Sequence, residues 1–158
     1  MKIFVTVGTA EFDELFQKMD QILKADPELE AVGQIGSGDY KPRNFSRVFR
    51  LTGKTEKYYK WADLIVSHGG AGTIYDILKS GKRAIAVPNK KLIEDHQVEL
   101  VDAFSKMGYI MKGDLASLGE LIKDASSYRF QPYNYKPHKI GWVLKRYIDS
   151  LNLSEPCI

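Results

Sequence analysis

The sequence predicts an α/β protein, a Rossmann-like doubly wound parallel sheet, and two patterns carry the prediction. Short apolar runs with strand character alternate with amphipathic helical segments along the chain. Most of the runs stop at a glycine, a proline or a polar turn, so the chain is broken into βα units rather than hairpins.

The first run, "KIFVTVG", is a buried strand closed by Gly8. "AEFDELFQKMDQILKA" follows as a helix, with Phe12, Leu15, Phe16, Met19, Ile22 and Leu23 on one face. "AVGQIG" is a weaker strand, and "SGDYKPRNF" is a polar loop. "RVFRL" is a short strand, "KTEKYYKWAD" a charged helix and "LIVSH" a second buried strand. "AGTIYDILKSG" forms a helix that Gly81 terminates. "RAIAVP" is a strand closed by Pro88, "DHQVELVDAFSKMG" an amphipathic helix, "YIMKG" a short strand and "ASLGELIKDASS" a helix. After the loop "YRFQPYNYKPHK", a last helix is expected over about 139–151. The 158 residues suit one domain, 1–158, without repeats or low-complexity tracts.

Hydrophobic residues are 44% and charged residues 27% of the chain, and the formal charge is only +3. That balance gives no argument for nucleic acid as a partner. The single cysteine, Cys157, leaves no intrachain disulfide and suits a reducing cytoplasm. The first apolar run is too short for a signal-peptide core, and no stretch reaches the roughly 18 apolar residues of a membrane span. His68, His96 and His138 lack ligand spacing, so no metal site is expected.

The chemistry concentrates in "SHGGAGT", between a strand and a helix. In an open parallel sheet, ligands bind beyond the carboxyl ends of the strands. The helix that follows offers unpaired N–H groups and a partial positive charge, so a phosphate or diphosphate is the natural ligand. Gly69, Gly70 and Gly72 would let it approach the main chain, Thr73 adds a hydroxyl and His68 a ring nitrogen. A bare tight turn is the plainer alternative. The spacing is neither GxGxxG nor GxxxxGK[ST], which disfavours a dinucleotide site and a P-loop. Asp76 lies six residues after Gly70, where it either accepts from a ribose or is a solvated helix aspartate. "PNKKLIEDHQ" follows another strand on the same sheet edge, and its Asp95, His96 and Gln97 either face a sugar or cap a helix. Gly8 and Thr9 end the first strand in a third, similar turn.

Taken in order, "VTVGT", "SHGGAGT" and "VPN" leading to "DHQ" resemble the nucleotide-sugar-binding, C-terminal half of GT-B glycosyltransferases. The chain is similar to the small soluble catalytic subunits of two-component transferases that glycosylate polyprenyl-diphosphate-linked saccharides, in lipid-linked glycan, exopolysaccharide or capsule synthesis. The resemblance implies that His68, Gly69, Gly70, Ala71, Gly72 and Thr73 hold the UDP phosphates, and that Asp76 binds the ribose. It implies further that Gly8 and Thr9 line the donor cleft and that Asn89, Asp95, His96 and Gln97 face the donor sugar. Relatives often carry a second Thr or Ser after "VGT", where this chain has Ala10.

The same resemblance implies an inverting transfer from a UDP-sugar without a metal or other cofactor. It also implies a membrane-anchored partner that binds the polyprenyl-diphosphate-linked acceptor and recruits this chain to the cytoplasmic face. The final helix, with Ile140, Val143, Leu144, Tyr147, Ile148 and Leu151 in a stripe, would dock that partner or pack on its own domain. No general base stands out, and His68 is only a weak catalytic candidate. A non-catalytic nucleotide-sugar-binding or scaffold subunit is the competing reading.

Overall fold

The computed structural model describes residues 1–89 and 96–134. Asp95 and the expected final helix at 139–151 lie outside the described residues. Among the described residues, six strands form one sheet: β1 (Lys2–Thr6), β2 (Glu30–Gln34), β3 (Arg47–Phe49), β4 (Leu64–Ser67), β5 (Arg83–Ala86) and β6 (Met111–Lys112). Among the same described residues, five helices separate them or follow them: α1 (Asp13–Ala25), α2 (Thr55–Trp61), α3 (Ala71–Ser80), α4 (His96–Lys106) and α5 (Leu118–Asp124). All five strand pairings are parallel, in the order β3-β2-β1-β4-β5-β6.

Side chains alternate across the pleat, and the strand sequences sort them accordingly. Ile3, Val5, Leu64, Val66 and Ile85 join the core under α1 and α5. Phe4, Ile65, Ala84 and Ala86 face the opposite layer with Tyr58, Ile74, Ile77 and Val101. Both faces are covered, which is why the strands read as nearly continuous apolar runs.

Two helices start later than their periodicity suggests. The stretch 8–12 is a turn in which Gly8 has φ +60° and the Ala10 N–H donates to the Val7 carbonyl. Phe12 therefore precedes α1, yet it is still buried in the core. The segment 113–117 is likewise a turn, because the Asp114 carboxylate accepts the Ser117 N–H at 2.9 Å before α5 begins. The polar loop after β2 is tied down by α1. Asp20, buried, accepts the Tyr40 hydroxyl and the N–H groups of Arg43 and Asn44 at 2.8–2.9 Å.

The strand order creates one topological switch point. From β1 the chain moves outward to β2 and β3, and from β4 it moves the other way to β5 and β6. The loops leaving β1 and β4 therefore diverge and open a crevice at their carboxyl ends. Gly8–Thr9 lies in the first of these loops, and His68–Gly70 is the second, leading into α3.

Candidate functional site

The three glycines of the β4–α3 turn answer to three different demands. Gly69 has φ +84°, and a Cβ there would stand 2.7 Å from Val101 Cγ2 on α4. Its lack of a side chain is what lets α4 pack on the turn. Gly70 has an ordinary φ of −63°, but a Cβ on it would lie 2.3 Å from His68 Nε2. It makes room for the imidazole. Gly72 has nothing within 4 Å of where its Cβ would be, and the residue is exposed. Of the three, only Gly72 is left without a reason in the protein's own packing.

The first turn of α3 is open to a ligand. Gly70 is its N-cap and provides no side-chain hydrogen bond, while its carbonyl accepts the Ile74 N–H at 2.9 Å. The N–H groups of the first turn consequently face outward with the positive end of the helix dipole. Across the switch point, a Cβ on Gly8 would lie 3.2 Å from Thr73 Oγ1 and 3.7 Å from His68 Cε1. The fold thus brings Gly8 of the first-strand motif beside His68 and Thr73 of "SHGGAGT", which the sequence places about 60 residues away.

His68 is buried, and burial holds its imidazole below the ordinary histidine range. The Thr6 main chain offsets this only in part, and Nδ1 closes no hydrogen bond of good geometry among the described residues. A neutral ring suits a hydrogen-bonding and spacing role at the turn better than that of a fixed cation.

Asp76 is exposed on α3 and lines a groove of about 770 Å³ between α2 and α3, together with Tyr59, Lys54 and Lys57. Burial first, and the Asp76 charge second, push the Tyr59 phenol far above its usual range. A helix rise of about 1.5 Å per residue puts Asp76 about 9 Å along the axis from Gly70. That span suits a nucleoside diphosphate lying from the turn towards the groove. The clefts flank the turn rather than sit on it. A second one, of about 760 Å³, lies beside Asn89, Phe12 and the segment after β6.

The described residues of the "PN…DHQ" segment have mixed roles. Asn89 is buried and its side-chain amide donates to the Glu11 carbonyl at 3.0 Å, strapping the end of β5 to the β1–α1 loop. Asp95 lies outside the described residues, and His96 is placed only as the first residue of α4. The main-chain carbonyl of Gln97 lies under Gly69, and its side-chain Oε1 is buried without a hydrogen-bond partner among the described residues.

Sequence reasoning passed over a buried polar row beneath the crevice. Thr6 is in register with Gln34 on one side and Ser67 on the other, and all three are at most 5% exposed. Only the weak "AVGQIG" strand signal carried Gln34, and nothing in the pattern marked it as polar yet buried. No group of three or more metal-ligating side chains occurs among the described residues.

Together, the parallel sheet, its switch point and the open α3 turn define an α/β domain of the kind that forms half of a GT-B glycosyltransferase. The chain belongs to the glycosyltransferase family 28 C-terminal domain family, whose model matches residues 2–139. It is 35% identical over 120 residues to the "UDP-N-acetylglucosamine transferase subunit ALG13" of Mus musculus, covering 69% of this chain and 10% of that protein. The chain thus spans about a tenth of the length of this relative. Among solved structures, it superposes on Acinetobacter baumannii MurG with a TM-score of 0.62 at 22% identity, over 80% of this chain and 40% of the other. The solution structure of ALG13 matches with a TM-score of 0.57 at 19% identity, over 90% of this chain and 92% of the other. At these identities the two structures establish the fold.

Proposed function

We propose that this chain is the donor-binding, catalytic subunit of a two-component inverting glycosyltransferase that uses a UDP-sugar. The convergence of Gly8, His68 and Thr73 over an uncapped helix N-terminus carries the reading. His68, Ala71, Gly72 and Thr73 hold the diphosphate, Asp76 accepts from the ribose hydroxyls, and Gly8 and Thr9 close the cleft from β1. Gln97 is assigned to the donor sugar, and the family resemblance extends that assignment to Asp95 and His96. Family membership and the UDP-N-acetylglucosamine named for the mouse relative support UDP as the nucleotide.

In the reaction an acceptor hydroxyl oxygen attacks the anomeric carbon as the bond from that carbon to the β-phosphate oxygen breaks. UDP leaves with the electron pair, and configuration inverts. Charge grows on the β-phosphate, which the α3 N–H groups and the Thr73 hydroxyl stabilise in place of a metal ion. The hydroxyl proton passes to a base on the acceptor side. The acceptor is a polyprenyl-diphosphate-linked saccharide held by a membrane-anchored partner at the cytoplasmic face of a membrane. The word "subunit" in the relative's name supports a partner.

Titrating the purified chain with UDP by calorimetry tests the site. Wild type binds UDP, and Gly72→Trp melts near the wild-type temperature yet shows no heat of binding. A Gly72→Trp protein that binds UDP as well as wild type would overturn the phosphate site. Gly70→Trp is the weaker probe, because its Cβ already collides with His68.

A further inference from the structure

Gly8 is held at both of its polar ends by the buried row beneath it. Its N–H donates to Thr6 Oγ1 at 3.2 Å, and its carbonyl accepts from Gln34 Nε2 at 3.0 Å. Thr6 is 2% and Gln34 5% exposed, and both bonds are partly buried. A carbonyl accepts only, so the Gln34 amide must present its nitrogen to Gly8. Its oxygen Oε1 is then left buried without a partner among the described residues. An orphaned buried acceptor costs stability. A methionine or leucine would fill the same space without that cost.

The direction of the restraint matters. The chain has no cis peptide among the described residues, and in a trans peptide the carbonyl of one residue and the N–H of the next point opposite ways. β2, with Gln34, lies on one side of β1, and β4, with the His68–Gly70 loop, lies on the other. Drawing the Gly8 carbonyl towards Gln34 therefore turns the Thr9 N–H away from β2, towards the β4 side of the crevice. That N–H donates to no group among the described residues.

We infer that Gln34 is a positioning residue. By gripping the Gly8 carbonyl it aims the Thr9 N–H at the anion seated on the α3 turn, as a donor opposite the helix N-terminus. The inference rests on the donor-site reading above and deepens it. Gln34 itself touches no ligand. Its hydrogen bond removes the alternative orientations of the Gly8–Thr9 peptide, so the donor is in place before the diphosphate arrives.

The test uses the full chain, UDP as the probe, calorimetry, and ¹⁵N–¹H spectra that follow Thr9. In wild type, UDP shifts the Thr9 amide strongly. Gln34→Met, which keeps the volume but has no donor, weakens UDP binding about 10-fold and loses most of the Thr9 shift. Resonances on α3 beyond Thr73 still respond. Gln34→Glu supplies a second readout. As a carboxylate it repels the Gly8 carbonyl, and once protonated it donates to it. Its affinity relative to wild type therefore recovers between about pH 8 and about pH 5, while the ratio for Gln34→Met stays flat. A purely structural role would lower the melting temperature without that pH-dependent rescue. If wild type itself binds no UDP, the donor-site reading falls and takes this inference with it. If wild type binds, but both variants match it with the Thr9 shift intact, the positioning role alone is overturned.

Discussion

Gly72 and His68 are the residues whose surroundings say most about the site. Gly72 sits in the first turn of α3 with open space where a side chain would be. Glycine inside a helix costs about 0.5–1 kcal/mol relative to alanine, so Gly72→Ala raises stability by up to that amount. On the proposed phosphate site the same change weakens UDP binding, because a methyl group then fills the open space beside the main chain; calorimetry and melting of one protein preparation check both halves. His68 gives a pH dependence. Its folded pKa lies below its unfolded value, so the unfolded chain takes up a proton that the folded chain refuses. The stability held by the neutral ring is fully present above about pH 6.5, the ordinary histidine value, and is lost as pH falls below it. Melting curves between about pH 8 and pH 5 check this, and His68→Gln flattens the decline.

Helix α3 organises the proposed donor site along its length. In that proposal its N-terminus meets the phosphates and Thr73 adds a hydroxyl, while Asp76 stands about 9 Å further on, by the 1.5 Å rise per residue, at the α2–α3 groove. Asp76 is exposed, so Asp76→Asn changes stability by less than about 0.5 kcal/mol. It weakens UDP binding about 10-fold and inorganic diphosphate hardly at all, since only the nucleotide carries ribose hydroxyls. Equal losses for both ligands would place Asp76 at the phosphates instead. Helix α4 acts indirectly, since its Val101 presses on Gly69, where left-handed backbone and close packing coincide.

The molecule as a whole is an α/β layer whose working edge is set by strand order. Both apolar faces of the sheet are covered, so the central strands have little tolerance for lost volume. Ile65→Ala, deep in β4, costs about 2–5 kcal/mol and lowers the melting temperature without changing the residues of the crevice. The acceptor is a second matter. If a membrane-anchored partner supplies that side, the chain alone binds UDP but transfers sugar only when the partner is added, which a radiolabelled-donor assay with and without partner membranes checks. Full transfer by the isolated chain would remove the need for a split enzyme.

Much of this was written in local pattern. The parallel α/β class follows from apolar runs of four or five residues alternating with 3.6-residue periodicity, and each rests on neighbours close in the chain. The glycine turn, Thr73 and Asp76 were legible for the same reason, because a strand-to-helix junction and its first turns are local objects. Helix starts at Asp13 and Leu118 were not, since turns ahead of them consume residues that also fit the helical stripe. Asn89 illustrates the limit more sharply. Its triplet marked it as polar and near the edge, but its bond to Glu11 joins residues 78 positions apart. Gln34 was invisible because its meaning depends on β2 lying beside β1, and Thr6 and Ser67 acquire theirs from the same register. Residue types and their spacing dictate which segments become strands, helices and permissive turns, because those preferences act within a few bonds. Which loops meet, why Gly70 must yield to His68, and where a buried amide aims a main-chain donor were settled only when parallel pairing brought distant strand ends together.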